Sequence, residues 1–311
     1  MTAICRPTAA STLLDLPNVI AEALVTGAAL ALSISGGKDS QAMLNLLTRH
    51  PQRSLWSGKM LALHADLGRM EWRETAATVE RQAHDAGLEL VVVSRPKGDL
   101  LERMKSEMRR TAPEGKPFWP TATKRYCTAE AKRDQLVKVH RRLGGVVIAA
   151  QGIRAEESPR RAKAQVVTVE RRATSKRIRD LSPAEALAER KPEERLVLNW
   201  LPIFGVLIAD VWAACDTSVF ELEQRRALYR AYRETGDAAL LAAALDGWTA
   251  HAAYVFGSSR LSCALCVLAS RQDLETGAIH NPALFAELLA MERESGFSFQ
   301  PNLRLAGLTA R

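Results

Sequence analysis

Short runs of consecutive apolar residues alternate along the first two thirds of the chain with longer segments whose apolar residues recur every three or four positions. An unbroken apolar run is typical of a strand buried on both faces, and the longer spacing is typical of a helix with one buried face. The runs predict strands at residues 28–34, 60–64, 90–93, 146–150 and 196–203. The spaced segments predict helices at residues 17–26, 38–50, 71–86, 100–108 and 128–143.

Strands that alternate with helices predict an α/β fold, built on a doubly wound, parallel, five-stranded sheet. After residue 204 the apolar positions indicate helices only. We therefore predict an N-terminal lead-in and helix at residues 1–27, an α/β domain at 28–204 and a helical region at 205–311.

The first predicted strand runs into a polar loop with two glycines, and a predicted helix follows. Glycines let the backbone approach a ligand closely, the first N–H groups of a helix lack partners within it, and the helix dipole favours negative charge. Serine hydroxyls and a lysine add donors and a cation. The pattern predicts an anion-binding loop, with a glycine-rich turn that binds nothing as the alternative. The loop residues are Ser35, Gly36, Gly37, Lys38, Asp39 and Ser40.

This loop resembles the Ser-Gly-Gly-x-Asp-Ser pyrophosphate loop of the PP-loop ATP pyrophosphatase superfamily. The resemblance implies an adenine nucleotide alpha hydrolase-like fold with strand order 3-2-1-4-5, ATP and Mg²⁺ as ligands, and cleavage between the α and β phosphates. Ligands of such sheets bind where the strand order reverses. The resemblance gives catalytic roles to Lys38, Asp39 and Arg154. It places the nucleotide against the loop and against Asp66, Gly152, Arg154 and Arg160.

The two aspartates in that set have more than one interpretation. Either Asp39 or Asp66 would help to hold Mg²⁺ between phosphates. Asp66, at the end of the second predicted strand, is alternatively a turn-forming residue.

Four further segments resemble the phosphoadenylyl-sulfate (PAPS) reductases, and the similarity runs from about residue 28 to about residue 295. One feature departs from that family. Assimilatory reductases carry a Glu-Cys-Gly-(Leu/Ile)-His motif near the C-terminus whose cysteine attacks sulfur, whereas no cysteine follows Cys266 here, so that chemistry is not expected. The similar segments are Gly152-Ile153-Arg154 with Glu156, Glu157, Ser158 and Arg161; Lys124-Arg125-Tyr126-Cys127-Thr128 with Lys132; Leu201-Pro202-Ile203; and Asp210-Val211-Trp212.

A Cys-x-x-Cys pair, Cys263 and Cys266, ends a segment that resembles part of the DNA phosphorothioation sulfur-transfer subunit and of phage-type reductase-like proteins. In that subunit the region supplies ligands to a [4Fe–4S] cluster. The resemblance implies a metal centre with Cys263, Cys266 and, as a third ligand, Cys127. Such a pair also suits zinc, and two thiols on one helix turn are alternatively buried without metal, so cluster, zinc and no metal stay open.

Charge and cysteine content bear on partners and location. The net charge is +8, and residues 154–179 hold a basic cluster that is either a surface for DNA or tRNA or a loop serving the nucleotide. Five cysteines, an odd number, disfavour a disulfide framework and favour a cytoplasmic location. Neither a membrane-spanning run nor a secretory signal is expected from the sequence.

These features predict an ATP-dependent enzyme that forms AMP and pyrophosphate and activates a nucleic acid or a small molecule by adenylylation for sulfur transfer. The sulfur would arrive through Cys127, through a cluster, or from a donor such as a cysteine desulfurase. Two alternatives stay open. One is a sulfonucleotide reductase that uses Cys127 as its nucleophile, and the other is a non-catalytic nucleotide-binding module of a larger complex.

Overall fold

A six-stranded, mostly parallel sheet organises the first part of the fold, seen in a computed structural model that describes Leu14, residues 16–261 and residues 263–308. Cys5 and most of the predicted lead-in lie outside the described residues. The sheet order is β3-β2-β1-β4-β6-β5. The strands are β1 (Ala29–Ser33), β2 (Met60–Asp66), β3 (Glu89–Ser94), β4 (Val146–Gln151), β5 (Val167–Val169) and β6 (Leu196–Trp200).

The strand order reverses at β1, which pairs in parallel with β2 on one side and with β4 on the other. Leu32 of β1 stands opposite both Ala62 and Ala150, and Ser33 stands opposite Gln151. The chains that leave β1 and β4 therefore start side by side at one edge of the sheet. The α/β fold and the predicted order 3-2-1-4 are confirmed, with β6 in the place of the predicted fifth strand.

The prediction of five strands is wrong, because a sixth strand lies at the sheet edge. β5 pairs antiparallel with β6, with Thr168 opposite Asn199. Three residues are fewer than the four to eight that an apolar run needs to indicate a strand. The basic residues around β5 also favoured a surface loop over a strand, so the sequence did not predict β5.

Helices connect and cover the strands, and each of the five predicted helices is found with bounds shifted by up to four residues. The helix expected from residue 71 begins at Thr75, because a 3₁₀ turn occupies Gly68–Met70. The helix expected at residues 128–143 begins two residues earlier and contains a π-helical turn, Ala129–Arg133. The helices are α1 (Asn18–Val25), α2 (Lys38–Thr48), α3 (Thr75–Asp85), α4 (Leu100–Thr111), α5 (Tyr126–Thr128), α6 (Asp134–Leu143), α7 (Pro183–Glu189), α8 (Ile208–Ala214), α9 (Val219–Thr235), α10 (Ala238–Leu245), α11 (Ala252–Val255), α12 (Arg271–His280) and α13 (Pro282–Ser295).

Both faces of the central strands are buried. Val147, Ile148, Ala149 and Ala150 of β4 are all fully inaccessible to solvent. Since successive side chains of a strand point to opposite faces, this pattern requires cover on both sides of the sheet. It confirms the doubly wound arrangement.

The described chain divides into two compact units that are interleaved along the sequence. The first comprises the residues up to His64, Val79–Val91 and Val137–Val219, and the second comprises Ala65–Thr78, Val92–Leu136 and the chain from Phe220 onward. The predicted sequential division near residue 204 stays a prediction about domains.

The second unit has an aromatic core of its own. Trp119 packs edge-on against Phe299, with ring centroids 5.0 Å apart, and donates its indole N–H to the Phe297 carbonyl at 3.0 Å. The buried Glu292 accepts the backbone N–H groups of Phe299 and Leu305, at 2.8 and 3.1 Å.

Among the described residues, the helices are too short or too polar to cross a membrane.

Candidate functional site

The predicted phosphate loop lies between β1 and α2, at the edge of the sheet where the strand order reverses. Gly36 has a left-handed φ of +77°, a conformation that costs glycine little and other residues more. Gly37 is extended and precedes the first residue of α2. The loop therefore delivers the N-terminus of an eleven-residue helix to this edge.

The Ser40 side chain closes the loop from within. Its Oγ accepts the Ser35 N–H at 3.1 Å and donates to the Gly37 carbonyl at 2.9 Å. Ser40 is buried, whereas Ser35 is exposed. The first and last serines of the predicted motif thus have different functions, one as a structural brace and the other as an accessible hydroxyl.

Asp39 lies between two cations. Its Oδ2 is 2.9 Å from Lys38 Nζ, and its Oδ1 accepts from Arg154 Nε at 2.6 Å. The Lys38 and Arg154 side chains are 6% and 4% exposed, so burial of their positive charges is compensated by the Asp39 carboxylate and not by water. The structure therefore brings together three residues predicted to act in catalysis.

Two glutamates hold Arg154 in place as well. Its guanidinium pairs with Glu156, and its backbone N–H donates to Glu157 at 2.9 Å. Burial lowers the pKa of Arg154, but the hydrogen bond and charge of Asp39, together with Glu156, outweigh burial and raise it. Arg154 is therefore a permanent cation beside the loop.

Gly152 lies directly against the loop. A Cβ on this residue would come within 2.8 Å of the Asp39 carbonyl oxygen and 2.9 Å of the Ser40 nitrogen. Real Cβ atoms essentially never approach so closely, so the segment after β4 can approach the first turn of α2 only with glycine at this position.

Asp66 and Arg160, two residues predicted to contact the nucleotide, make no contact with the phosphate loop among the interactions described for this structure. Asp66 Oδ1 accepts the Gly68 N–H at 2.7 Å, which is the turn-forming role weighed against nucleotide binding. The Arg160 side chain is exposed, and within the described chain it makes no hydrogen bond or ion pair. Their roles toward a nucleotide stay predictions.

Two glutamines near the loop were missed by sequence reasoning. Gln82 of α3 donates to the Gly36 carbonyl at 3.3 Å and to Gln41 Oε1 at 3.1 Å. Both glutamines are buried. Polar residues on the buried face of a predicted helix were the available signal, but periodicity does not show which loop such a side chain reaches.

Much of the basic cluster at residues 154–179 is neutralised internally. Arg171 and Arg179 pair with Asp180, and Arg177 pairs with Glu194 at 2.6 Å. Arg161 pairs with Glu157. Internal pairing leaves less positive charge for a polyanion than the residue count indicates.

The Cys-x-x-Cys pair lies in a tight turn between α11 and α12, not on a helix as one interpretation required. The Ala264 N–H donates to the Met70 carbonyl at 2.9 Å, and the Leu268 N–H donates to Cys266 Sγ at 3.4 Å. A Cβ on Gly277 of α12 would lie 2.0 Å from the Ala264 carbonyl oxygen, so helix and turn are in close contact.

Cys127, which is 136 positions earlier in the chain than Cys263, lies in the same compact unit as this turn. Burial raises the pKa of the Cys263 thiol, and the negative charges of Cys266 and Cys127 raise it further, while the Lys132 ammonium acts in the opposite direction. The three thiols therefore lie within electrostatic range of one another, inside one compact unit. Cys215 is fully buried in the other unit.

The helical turn that carries Cys127 is anchored by buried charge. Arg103 lies over the Tyr126 ring, 4.5 Å from its centroid, and pairs with Glu107 at 2.9 Å. Glu107 also binds Lys124 at 2.8 Å. Arg103 and Lys124 thus both pair with the buried Glu107 carboxylate, which holds the Lys124–Cys127 segment in place.

Sequence comparison matches residues 29–240 to the family described as phosphoadenosine phosphosulfate reductase domain. The match includes the loop, Cys127 and Arg154 and ends before Cys263. The chain has no significant match among curated proteins. Among solved structures, that of Candida glabrata FMN adenylyltransferase in complex with FMN and the ATP analog AMPCPP is similar, with 13% identity, a TM-score of 0.32, and coverage of 64% of this chain and 52% of that one. The similarity thus spans about half the length of that protein.

Proposed function

Because the chain belongs to the phosphoadenosine phosphosulfate reductase domain family, we propose that it is a nucleotide-utilising PP-loop enzyme that cleaves ATP between the α and β phosphates. The observation that carries the proposal is the arrangement of Lys38, Asp39 and Arg154 at the mouth of the loop. Two buried cations beside a helix N-terminus provide the charge that a triphosphate requires.

The proposed reaction is displacement at the α-phosphorus. A nucleophilic oxygen of the acceptor forms a bond to the α-phosphorus as the bond to the bridging α–β oxygen breaks, and pyrophosphate leaves. Lys38 and Arg154 neutralise the charge that develops on the leaving group. The product is an adenylylated acceptor.

Mg²⁺ in phosphoryl-transfer sites is held by one or two carboxylates together with substrate phosphates. The carboxylate next to the loop is that of Asp39, whose two oxygens pair with Lys38 and Arg154 in this structure, so Asp39 would have to exchange one of these cations for the ion. When bound, the ion would neutralise phosphate charge and orient the nucleotide.

The test of this proposal compares wild-type protein with Lys38→Ala, using ATP and Mg²⁺ in a calorimetric binding assay and in a product assay. We expect Lys38→Ala to abolish turnover and to weaken ATP binding by at least about tenfold, because one buried cation is lost. AMP and pyrophosphate, rather than ADP and phosphate, are the expected products.

Lys59→Ala is the matched control, since Lys59 is an exposed lysine that pairs with Glu89. It should bind ATP as the wild-type protein does. Full turnover by Lys38→Ala would show that the loop assignment is wrong, and formation of ADP would exclude α–β cleavage.

We further propose that the adenylylated acceptor, a nucleic acid or a small molecule, receives sulfur. The residues that support this step are Cys127, Cys263 and Cys266, which lie in one unit with an N–H donated to one sulfur. Cysteine thiolates are ligands of iron–sulfur clusters and of zinc, but these three sulfurs do not all lie within 4.8 Å of one another, so they would have to move together to hold zinc. A cluster, when bound, would supply an iron site able to carry sulfide. The sulfur donor would be an external protein such as a cysteine desulfurase.

Anaerobic purification followed by iron, sulfide and zinc analysis tests the metal centre. Cys263→Ser should lose the metal, because one of three thiolates is removed. Cys215→Ser is the matched control, since it removes a buried thiol from the other unit and should keep the metal content. Wild-type protein without metal would exclude the centre and leave Cys127 as the sulfur carrier.

The presence of Cys127 and Cys263 in one compact unit supports a second candidate, a sulfonucleotide reductase. The Cys127 thiolate would attack the sulfur of phosphoadenylyl sulfate, break its bond to the phosphate oxygen and release the nucleotide. Attack by Cys263 on the resulting thiosulfonate would release sulfite and leave a disulfide, so two thiols are oxidised as sulfur is reduced. Sulfite formation without ATP, lost in Cys127→Ser, would support this candidate.

A further inference from the structure

Gln82 occupies an unusual position for a helix residue on the buried side of α3. It is only 5% exposed, and its amide donates to the backbone of the phosphate loop, at Gly36, as well as to the buried Gln41 side chain. The carbonyl oxygen of Gly36 can only accept, so the Nε2 end of the amide must face it. Gln82 Oε1 is consequently left buried with no hydrogen-bond partner in the described chain, a cost that a core packing role does not explain.

The peptide that Gln82 holds is flanked by two glycines. In a trans peptide the C=O and the following N–H point in opposite directions, so holding Gly36 O on the α3 side turns the Gly37 N–H to the other side. Gly37 is buried, and its N–H has no hydrogen-bond partner among the described residues. Buried backbone N–H groups are rarely left unpaired, which points to a ligand atom that accepts there.

We infer that Gln82 is a positioning residue that selects the anion-binding orientation of the Gly36–Gly37 peptide. This inference rests on the proposed binding of a nucleotide at the loop. Glycines on both sides allow the peptide to rotate at little cost, and the rotated form would present the Gly36 carbonyl, not an N–H, to the phosphates. If the loop populates both peptide orientations, its affinity for an anion falls in proportion to the fraction of molecules in the orientation that binds the anion.

The inference predicts a loss of affinity confined to phosphate-bearing ligands. Gln82→Met keeps the length and volume of the side chain and removes both donors. We expect it to weaken binding of ATP with Mg²⁺ and of inorganic pyrophosphate by about tenfold, the loss that one hydrogen bond implies, while adenosine binding is unchanged. Gln82→Glu should bind more weakly still, because its carboxylate would face the two acceptors Gly36 O and Gln41 Oε1.

Gln135→Met is the matched control, since it removes a buried glutamine that donates to the Glu130 carbonyl at 2.7 Å in the other unit. It should lose some thermal stability and keep the wild-type affinity for ATP. Equal weakening of ATP and adenosine by Gln82→Met would indicate a merely structural role and overturn the inference, as would wild-type ATP affinity in that variant.

A measurement on the wild-type protein keeps the inference testable if the Gln82 variants fail to fold. With glycine-selective ¹⁵N labelling, the exchange of the Gly37 amide with solvent deuterium should slow when ATP and Mg²⁺ are added, because the amide gains a hydrogen-bond acceptor. No gain in protection while ATP binds would overturn the positioning role of Gln82 and leave the proposed function standing. Failure of the wild-type protein to bind ATP or pyrophosphate would overturn both.

Discussion

At the scale of single residues, the charge balance around Asp39 decides the properties of the site. One carboxylate separates two buried cations, Lys38 and Arg154, which would otherwise repel each other. Removal of one partner of a buried ion pair costs more than the pair contributes, because the remaining charge has no compensation.

Asp39→Asn should therefore destabilise the protein by about 3 kcal/mol without ligand, measured by denaturant unfolding. Inorganic pyrophosphate should restore part of the loss, since its charge replaces the carboxylate beside the two cations. Asp216→Asn is the control: its bidentate pair with Arg49 is half exposed and should contribute less than about 1 kcal/mol. No stabilisation of Asp39→Asn by pyrophosphate would contradict an anion site at these cations.

At the scale of secondary-structure elements, the site depends on how closely the segment after β4 approaches α2. The parallel register of β1 and β4 brings the two loops to one edge, and Gly152 allows backbone contact there. The backbone of Gly152 lies so close to the backbone of Asp39 and Ser40 that even one methyl group at this position is too large.

Gly152→Ala should move the first turn of α2 and destabilise the protein by about 1–3 kcal/mol, as overpacking does. ATP binding should weaken with it, because Asp39 and Ser40 are the residues displaced. Gly205→Ala is the control, since a Cβ there meets no atom within 4 Å. Crystal structures and titrations of the two variants measure the effect, and unchanged ATP affinity in Gly152→Ala would contradict this packing argument.

At the scale of the whole molecule, two interleaved units divide the chemistry: one carries the phosphate loop and the other carries the three thiols. The second unit also holds a buried carboxylate that makes the stability of the protein depend on pH. Burial raises the pKa of Glu107, but hydrogen bonds from Lys124, Arg110 and Arg103 lower it to about 2. Because the folded pKa lies below the unfolded value, this carboxylate stabilises the fold at neutral pH.

That stabilisation is present above about pH 4.5 and is lost as the pH falls toward 2. Glu107→Gln should cost about 3 kcal/mol at pH 7 and should flatten the dependence of stability on pH in that interval. Glu114→Gln, which removes an exposed pair with Lys116, should change stability by less than about 0.5 kcal/mol. Unfolding by urea at several pH values tests this, and parallel curves for Glu107→Gln and wild type would exclude the mechanism.

Local pattern alone determined the α/β class, four strands nearly to the residue, and the loop at residues 35–40 between a strand and a helix. These features follow from unbroken apolar runs, from the helical period of 3.6 residues and from glycine conformation, which are properties of neighbouring residues. Tertiary structure decided the rest, because long-range contacts have no local period. It added β5 at the sheet edge and paired much of the basic cluster with acidic residues. It also brought Gln82 to the loop and placed Cys127 in one unit with Cys263, because distant parts of the chain pack together.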